Sequence, residues 1–443
     1  MRLWGYSMRY KPYPKYKDSG VVWLGDVPKG WRILNIKRLC FVKRGASPRP
    51  IENPIYFNDN GEYAWVRISD VTLSEMYLEK TVQKLSNLGK SLSVPLEPND
   101  LFLSIAGSVG KPIIANIKCC IHDGFVYFQN YKENLKFLYW VFKSGQPYLG
   151  LGKFGTQLNL NKDTVGDIKI GLPSFSEQNQ IVEYIEEKTK KIDTLINKQQ
   201  TLIKLLKEKR QALISHAVTK GLDDSVAMKD SGVEWLGDVP EGWEIWKLSH
   251  AFNMIGSGTT PSSTKEEYYN GNIPWVTTGE LREKIIIQTK KMLTKRAMSE
   301  LSSLKIFPKN SIVIAMYGAT IGRLGKLGIE ATTNQACCVI SHSSSILNNY
   351  LYYWLLGYRK EIVNLGYGGG QPNISQDTIS NLKISAPNFD EQQNIINYLD
   401  QKTQKIDTLI NKATQAIELL KERRTALISA VVTGKVDVRC TLC

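Results

Sequence analysis

Two short segments of the sequence have features of nucleotide or metal chemistry. Residues 107–111 read GSVGK, which shares the end of the phosphate-binding loop GxxxxGK[ST]. The full loop needs glycine at position 105 and serine or threonine at position 112, where this sequence has Ile105 and Pro112. Cys440 and Cys443 form a lone CxxC, whereas a zinc site needs four ligands. We therefore expect no nucleotide or metal binding, and free thiols in the tail.

A third segment, Asn53-Pro54-Ile55-Tyr56, resembles the NPPY motif of amino-methyltransferases. That motif requires an upstream glycine-rich cofactor loop that follows a strand, but only a basic segment lies upstream here. We therefore expect a turn at residues 53–56 and no catalytic residue in this chain. The histidines lack metal-ligand spacing and are His122, His216, His250 and His342.

Composition and charge favour a folded protein with a polyanionic partner. Of the 443 residues, 42% are apolar and 10% aromatic, which suffices for two or more folded domains. The net charge is +15, and residues 1–50 hold twelve Lys or Arg against two Asp. Such a field attracts nucleic acid. The sequence has no apolar run of membrane-spanning length and no leader-like start, so we expect a cytoplasmic protein without membrane contact.

The sequence contains a long internal repeat. Residues 17–31 read KDSGVVWLGDVPKGW and return as KDSGVEWLGDVPEGW at residues 229–243, with thirteen of fifteen positions identical. Residues 188–198 read KTKKIDTLINK and return at residues 402–412 with ten of eleven positions identical. A period of about 212–214 residues is too long for a solenoid. It indicates a tandem duplication of a whole domain followed by a helix.

Between the repeated blocks the two halves share pattern more than identity. Trp65 parallels Trp275, and the strand-like residues 101–111 parallel residues 312–323. The tryptophans recur where the scaffold is shared, so we expect Trp65 and Trp275 in the cores rather than on a base-stacking surface. Two similar scaffolds with different loops predict that each half recognises something different.

Each copy ends in a helical segment of about 40 residues, or roughly 60 Å. Ser174 with Glu177, and Asn388 with Glu391, have capping-box spacing. Steps of four and three residues give apolar side chains at seven of ten positions in the first segment and eight of ten in the second, which predicts a coiled-coil seam. Gly434 is expected to end the second helix. The leucines and isoleucines at these seam positions are the predicted seam and partner-binding residues, namely Ile181, Ile185, Ile192, Leu195, Leu202, Leu206 and Leu213, with Ile395, Leu399, Ile406, Leu409, Leu420 and Leu427.

Two partly apolar helices in one chain should pair with each other, although a dimerisation coil between separate chains remains an alternative. The near identity of the two helices indicates that both have the same function, such as each binding one copy of the same partner.

At this point the repeated blocks resemble the specificity subunits of Type I restriction–modification systems. The resemblance rests on YKPYPKYKDSGVVWLGDVPKGW and its internal copy, on LPxxxEQxxI at residues 172–181, and on IDTLI, LLKE(K/R)R and ALI in both helices. It covers essentially the whole chain. It implies a DNA-binding, non-catalytic subunit with two target-recognition domains, each reading one half of a split site on double-stranded DNA.

The resemblance also implies partners and a fold. Two modification subunits would dock on the helices and supply S-adenosylmethionine chemistry on adenine, and two restriction subunits would use ATP and magnesium, so this chain needs no cofactor. We expect an α+β fold with an internal pseudo-two-fold repeat, whose two helices pair as an antiparallel coiled coil. The predicted boundaries are residues 1–174 and 221–388 for the two domains, 175–220 and 389–436 for the helices, and 437–443 for a tail.

Candidate DNA contacts follow from side-chain chemistry, because Lys and Arg hold phosphates, Arg reads guanine and Gln reads adenine. In the first domain we expect contacts from Lys43, Arg44, Arg49, Arg67, Lys111, Lys153 and Gln157. In the second domain we expect contacts from Thr259, Thr260, Ser262, Lys265, Arg323 and Gln371.

Two other functions remain as alternatives. The first is a bifunctional DNA adenine methyltransferase, which the missing cofactor loop disfavours. The second is a coiled-coil adaptor without DNA specificity, which would not explain similar scaffolds with divergent loops.

Overall fold

A computed structural model of the chain describes residues 11–149, 151, 160–366 and 373–439. It divides into two compact units. The first unit comprises Met1–Gln199 and Gln415–Cys443, and the second comprises Gln200–Thr414. Each unit therefore holds one mixed domain together with part of each long helix.

The elements of the first unit follow the order of the chain. Its strands are β1 (Tyr16–Asp18), β2 (Asp26–Pro28), β3 (Arg32–Asn35), β4 (Phe41–Arg44), β5 (Ala64–Val66), β6 (Tyr77–Leu78), β7 (Gln83–Lys84), β8 (Val94–Leu96), β9 (Leu101–Ser104), β10 (Pro112–Ala115), β11 (Cys119–Ile121), β12 (Phe125–Gln129) and β13 (Lys169–Leu172). Its short helices are α1 (Ile68–Leu73), α2 (Asn87–Ser91), α3 (Leu135–Lys143) and α4 (Lys162–Asp167), and the long helix α5 is Phe175–Lys220.

The second unit repeats this order with local changes. Its strands are β14 (Met228–Asp230), β15 (Asp238–Pro240), β16 (Glu244–Lys247), β17 (Phe252–Gly256), β18 (Tyr269–Val276), β19 (Ile285–Ile286), β20 (Lys291–Leu293), β21 (Ile312–Ala315), β22 (Leu324–Leu327), β23 (Thr332–Thr333), β24 (Cys337–Ser343) and β25 (Lys383–Ala386). Its short helices are α6 (Leu248–Ala251), α7 (Lys295–Glu300), α8 (Asn348–Gly357), α9 (Arg359–Asn364) and α10 (Gln376–Asn381), and the long helix α11 is Phe389–Val432.

The central sheets of the two units have the same topology. The first has strand order β4-β12-β9-β10-β6 and the second β17-β24-β21-β22-β19. In both, the last pair is parallel and the other pairs are antiparallel. The strand-like segments noted in the sequence form the hairpins β9–β10 and β21–β22. The duplication is therefore present in the fold as well as in the sequence.

A second sheet covers one face of each central sheet. It has the order β7-β5-β11-β8 in the first unit and β20-β18-β23 in the second. Side chains alternate across a strand, so Leu101 and Leu103 of β9 pack with the helices, whereas Phe102 packs with the second sheet. Burial on both faces explains why β9 begins with three consecutive apolar residues and why β21 is apolar throughout, instead of alternating.

The tryptophans expected in the cores are buried. Trp65 is 3% exposed and Trp275 4% exposed. Both lie in the second sheet of their unit, on the strand that pairs in parallel with β11 or β23. The prediction that they belong to the scaffold is therefore confirmed.

The long helices run antiparallel within each unit. In the first unit, Trp31 contacts Glu177 at the start of α5 and lies beside Gly434, just beyond the end of α11. Further along α5, Asp193 pairs with Arg424, which precedes Gly434 in α11. In the second unit, Gly221 beyond the end of α5 lies beside Glu391 at the start of α11, while Arg210 pairs with Asp407. The expected antiparallel pairing is therefore confirmed.

The predicted register of the seam is wrong at three leucines. Leu195, Leu202 and Leu409 are 46%, 43% and 49% exposed. Thr189 and Thr403 lie buried in the helices instead, because each hydroxyl donates to the carbonyl one turn earlier in its own helix and is satisfied there. The other predicted seam residues are buried or half-buried, namely Ile181, Ile185, Ile192, Leu206, Leu213, Ile395, Leu399, Ile406, Leu420 and Leu427.

The helix ends follow the predicted signals. Ser174 Oγ accepts from the Glu177 amide at 3.3 Å, and Asn388 Oδ1 accepts from the Glu391 amide at 2.9 Å. Gly434 follows α11 with φ of +71°, the left-handed conformation typical of a helix C-terminus. Among the described residues, no helix is long and apolar enough to cross a membrane.

Candidate DNA interface

A surface cavity of about 720 Å³ opens beside the loop that follows β4 in the first unit. It contains two of the predicted DNA contacts, Arg49 and Arg67. The turn between β11 and β12 closes one side with His122 and Asp123. The remaining lining residues are Ser47, Pro48, Pro50, Ile51, Glu52 and Trp65. The cavity is therefore built by one loop and one turn on a buried two-sheet scaffold.

Asp123 organises this cavity. Its Oδ1 accepts from Ser47 Oγ at 3.0 Å, and its Oδ2 accepts from Arg49 Nη2 at 3.1 Å. Arg44 Nε donates to its backbone carbonyl at 2.5 Å. Burial alone would raise the pKa of the Asp123 carboxyl, but the Ser47 hydrogen bond and the nearby positive charges outweigh it and lower that pKa. Asp123 is therefore a carboxylate that fixes the Arg49 side chain, whose exposed fraction is 80%.

His122 is held in one tautomer. Its Nδ1 accepts a hydrogen bond from the Gly124 amide at 2.8 Å, so in the neutral ring the proton sits on Nε2. The ring lies 4.5 Å from the Phe125 ring and 5.9 Å from the Trp65 ring, centre to centre. Burial lowers the pKa of His122, partly offset by Asp123. The neutral ring therefore has one donor, Nε2–H, beside the cavity.

The second unit has an equivalent loop and turn. β11 pairs in parallel with β5, and β23 pairs in parallel with β18, which places Ile121 opposite Val66 and Thr333 opposite Val276. Glycine is required at the start of both loops, because a Cβ on Gly45 would lie 2.2 Å from the His122 carbonyl oxygen and one on Gly258 1.9 Å from that of Thr333.

From these anchors, the two loops and turns align residue by residue. Thr260 corresponds to Ser47, Ser262 to Arg49, Asn334 to His122 and Gln335 to Asp123. The hydrogen bond between loop and turn recurs, since Thr260 Oγ1 donates to Gln335 Oε1 at 2.5 Å. The two units therefore share this contact but place different side chains around it.

The other predicted DNA contacts of the first unit lie outside this cavity. Lys43 is exposed on β4, and Arg44 is also exposed, although its guanidinium bonds to Asp123. Lys111 is half-buried, and its Nζ donates to the Thr72 carbonyl at 3.0 Å. Burial lowers the pKa of Lys111. Its ammonium therefore anchors the β9–β10 hairpin to the residues of α1.

In the second unit, Thr260, Ser262 and Lys265 are exposed along one loop, and Thr259 is half-buried with its carbonyl bound by Trp275. Lys265 Nζ donates to Tyr268 at 3.0 Å. Arg323 is exposed at the hairpin position that corresponds to Lys111. Three predicted contacts, Lys153, Gln157 and Gln371, lie outside the described residues.

The contacts that fasten each domain to its helices were not predicted from the sequence. Trp31 Nε1 donates to Glu177 Oε1 and Trp243 Nε1 to Glu391 Oε1, both at 3.0 Å. The next residues, Gln178 and Gln392, are fully buried. Gln178 accepts from the Asn134 amide ahead of α3 and donates to the Pro173 carbonyl ahead of α5. Gln392 accepts from the Leu347 amide ahead of α8 and donates to the Pro387 carbonyl ahead of α11. The repeated Glu-Gln pair was the available signal.

Asp123 and Gln335 were also missed. Asp123 is separated from Ser47 by 76 positions, and Gln335 from Thr260 by 75. No local spacing marks such a contact, and only the fold brings these residues together.

The segments that suggested catalysis have structural roles. Residues Pro54–Tyr56 form a 3₁₀ turn, with the Asn53 side chain accepting from the Ile55 amide, so the expectation of a turn is confirmed. Residues 107–111 form the β9–β10 connection, with Gly107 and Gly110 at positive φ. In the part of the chain that the structure describes, no group of three His, Cys, Asp or Glu side chains could hold a metal ion.

The comparison with protein families identifies this type of domain. The family model described as the Type I restriction modification DNA specificity domain matches twice, at residues 28–205 and 240–419. Together the two matches cover most of the chain. The fold is thus a doubled DNA-specificity domain, and the chain belongs to the Type I restriction modification DNA specificity family.

One curated relative matches over almost the full length, and another matches over less than half of it. The chain is 24% identical over 426 residues to the Type I restriction enzyme MjaVIII specificity subunit of Methanocaldococcus jannaschii, covering 93% of this chain and 94% of the relative. It is 29% identical over 183 residues to the EcoR124I/EcoR124II specificity subunit of Escherichia coli, covering 40% and 44%. These similarities, with the family match, confirm the predicted function as a specificity subunit and the predicted non-catalytic role.

Solved structures agree on the fold. One, from work on complex assembly and conformational transition of the type I R-M system, matches with a TM-score of 0.71 at 17% identity, covering 93% of this chain and 99% of the other. The HsdS subunit of Thermoanaerobacter tengcongensis matches with a TM-score of 0.53 at 16% identity, covering 93% and 98%. The expected α+β architecture with two tandem domains and long helices is confirmed.

Proposed function

We propose that each domain of this specificity subunit reads one half of a bipartite DNA target and that the paired helices set the unread spacer. The observation that carries this proposal is the shared contact Ser47–Asp123 and Thr260–Gln335, which is surrounded by different side chains in two otherwise equivalent units. A protein that recognised one sequence twice would need the same side chains in both places. Different side chains on one scaffold support two different half-sites.

Affinity would come from phosphate contacts and specificity from the loops. Exposed Lys43 and Arg44 in the first unit, and exposed Lys265 and Arg323 in the second, are suited to phosphate contact. Arg49 and Arg67 lie together at the cavity and are suited to base contact. Lys111 contributes less, because its ammonium is already bound to the Thr72 carbonyl.

The catalytic partners would dock on the helices. Both helices present leucines to solvent outside the seam, including Leu195, Leu202 and Leu205 on α5 and Leu409 and Leu419 on α11. The spacing of seven and three residues places Leu195, Leu202 and Leu205 on one face of α5, and an apolar face exposed to solvent supports a protein-binding surface. We infer that two modification subunits bind here with S-adenosylmethionine, and that two restriction subunits bring ATP and magnesium to the assembled complex.

Binding at rising salt tests the specific reader against an adaptor. The complex of this chain with its modification subunit is titrated with two duplexes. One contains the sequence motif that the complex methylates, and the other contains a scrambled sequence. We expect the affinity for both duplexes to fall as the salt concentration rises. The affinity for the motif duplex should stay about 10³-fold or more above that for the scrambled duplex. Equal binding of the two duplexes would favour the adaptor.

The spacer is tested by lengthening both helices at the same level. Seven residues are inserted after Gln199 in α5 and seven after Thr414 in α11, which keeps the heptad. The added length is about 10 Å, or about three base pairs. We expect the two half-sites of the methylated motif to move apart with their sequences unchanged, and an unchanged spacer would contradict the role of the helices.

A further inference from the structure

The Asp123–Arg49 pair and the Gln335 side chain occupy equivalent places in the two units, and their chemistry differs. Building on the proposed reading of one half-site by each domain, we propose that these places are base-reading pockets with opposite preferences. Arg49, fixed by Asp123, reads the guanine of a G·C pair in the first half-site. Gln335, fixed by Thr260, reads the adenine of an A·T pair in the second.

The first pocket is arranged for a guanidinium. The Arg49 side chain is largely exposed, but one of its Nη atoms is held by Asp123 Oδ2 at 3.1 Å. Asp123 is itself fixed by Ser47 and by Arg44. An Arg held at one edge by a carboxylate keeps its other donors in a planar fork, which matches the O6 and N7 acceptors of guanine in the major groove. The Nε2–H of His122 adds a donor at the same cavity.

The second pocket is arranged for an amide. Ser262 stands where the first unit has Arg49, so this loop position carries no charge. Gln335 is exposed, and Thr260 donates to its Oε1, which orients the side chain and leaves its Nε2 group as a donor. The Oε1 atom retains a second lone pair, so the amide can accept from N6 of adenine and donate to N7.

The side-chain amide of the preceding residue also has an oxygen atom that accepts no hydrogen bond among the described residues. Asn334, at the position of His122, has an Oδ1 atom that is buried without a hydrogen-bond partner among the described residues. A buried acceptor without a partner costs free energy, and a shift of this turn that exposed Oδ1 to a base amino group would supply the missing donor.

The main experiment uses the unmodified complex of this chain with its modification subunit. Long-read sequencing of a methylase-free host first gives the methylated motif. Duplexes are then made in which each guanine or adenine of the motif is replaced, one at a time, by its 7-deaza analogue, which removes the major-groove N7 acceptor. We expect one 7-deazaguanine in one half-site and one 7-deazaadenine in the other to weaken binding roughly 5- to 100-fold.

Variants then connect each analogue to one side chain. Arg49→Ser should lose the sensitivity to the 7-deazaguanine and keep that to the 7-deazaadenine. Gln335→Ala should do the opposite. Asp167→Asn, which removes an exposed ion pair with Lys37 outside the cavity, is the matched control and should keep both sensitivities.

A paired substitution tests the exchange of preference. Arg49→Ser with Asp123→Gln gives the first loop and turn the side chains of the second unit at these two positions. We expect the methylated motif to change from G·C to A·T at one position of the first half-site and to stay the same in the second. If this variant does not assemble with the modification subunit, the measurements with 7-deaza analogues on the unmodified complex still test the two base-reading pockets.

The outcomes separate this proposal from the proposed function. A split motif with no G·C pair in one half-site or no A·T pair in the other, or sensitivities that persist in both single variants, would overturn the base-reading pockets and leave the bipartite reader intact. A wild-type complex that methylates no split motif would instead overturn the proposed function.

Discussion

Arg424 donates two hydrogen bonds to the Asp193 carboxylate, from Nε to Oδ1 at 2.9 Å and from Nη2 to Oδ2 at 3.3 Å. The repeat relates this pair to Asp407 and Arg210, whose Nε and Oδ1 atoms lie 3.2 Å apart as an ion pair without hydrogen-bond geometry. In the first unit the aspartate lies on α5 and the arginine on α11, and in the second unit these positions are exchanged. One charged pair is therefore used twice to fix the antiparallel register.

The Asp193–Arg424 pair should stabilise the helices measurably. Arg424→Asp places two carboxylates together, and we expect a loss of about 1–3 kcal/mol, seen as a fall of several degrees in the thermal transition of the helical circular-dichroism signal. Asp193→Arg combined with Arg424→Asp restores the opposite charges and should recover most of the loss. If the double variant is as unstable as the sum of the single variants, the pair does not set the register.

The glutamate that binds the tryptophan should contribute more to stability in the first unit, where it is Glu177, than in the second, where it is Glu391. Glu177 Oε1 accepts from Trp31 Nε1 and also from the Tyr13 hydroxyl at 2.6 Å, whereas Glu391 Oε1 accepts from Trp243 Nε1. Glu177→Ala leaves two donors without this acceptor and should cost about 2–4 kcal/mol, against about 1–2 kcal/mol for Glu391→Ala. Denaturant titration followed by tryptophan fluorescence measures both, and an equal loss would contradict the difference in bonding.

A buried and an exposed apolar residue on α11 should have different roles, the first in folding and the second in assembly. Ile406 is 6% exposed and Leu409 is 49% exposed. Ile406→Ala should cost about 2–4 kcal/mol of stability, because it leaves a cavity. Leu409→Asp should leave the thermal transition nearly unchanged but weaken binding of the modification subunit, measured by titration calorimetry. Undiminished binding by Leu409→Asp would exclude this leucine from the docking surface.

His122 should make the first unit sensitive to acid. Burial lowers the pKa of His122 in the folded chain below the usual histidine value of about 6.5. Below that pH the unfolded chain takes up the proton more readily than the folded chain, so the free energy of unfolding falls as the pH drops from 7. Protonation of Nδ1 would also break the Gly124 hydrogen bond. His122→Asn removes this proton uptake and should show a shallower loss of stability between pH 7 and 5, whereas parallel curves would contradict the assignment.

The sequence predicted the features that depend on local signals or on the repeat. The duplication, the capping residues Ser174 and Asn388, and the end of α11 at Gly434 all have such signals. The predicted seam register is wrong at Leu195 because the helix has a wide apolar stripe, in which the next residue, Ile196, is also apolar. Burial of Thr189 decided between them, and nothing in its residue type announces burial.

The site was predictable only in part. Arg44 and Arg49 were found because basic residues near a loop suit DNA, but the carboxylate that fixes them is 74 positions from Arg49. A contact over that distance depends on how β4, β11 and β12 meet in the fold. Gln335 was not predicted for the same reason, because it is 75 positions from Thr260. The alignment of the second loop and turn on the first identifies its position as that of Asp123.

The central claim is that this one chain reads a split target with one domain for each half. The most direct test is long-read methylation mapping of a methylase-free host that expresses this chain with its cognate modification subunit, compared with hosts carrying the modification subunit alone or a chain with residues 221–388 exchanged for those of a related specificity subunit. We predict adenine methylation at one split motif, none without this chain, and a motif changed in one half only after the exchange. Methylation that does not depend on this chain, or an exchange that changes both halves, would contradict it.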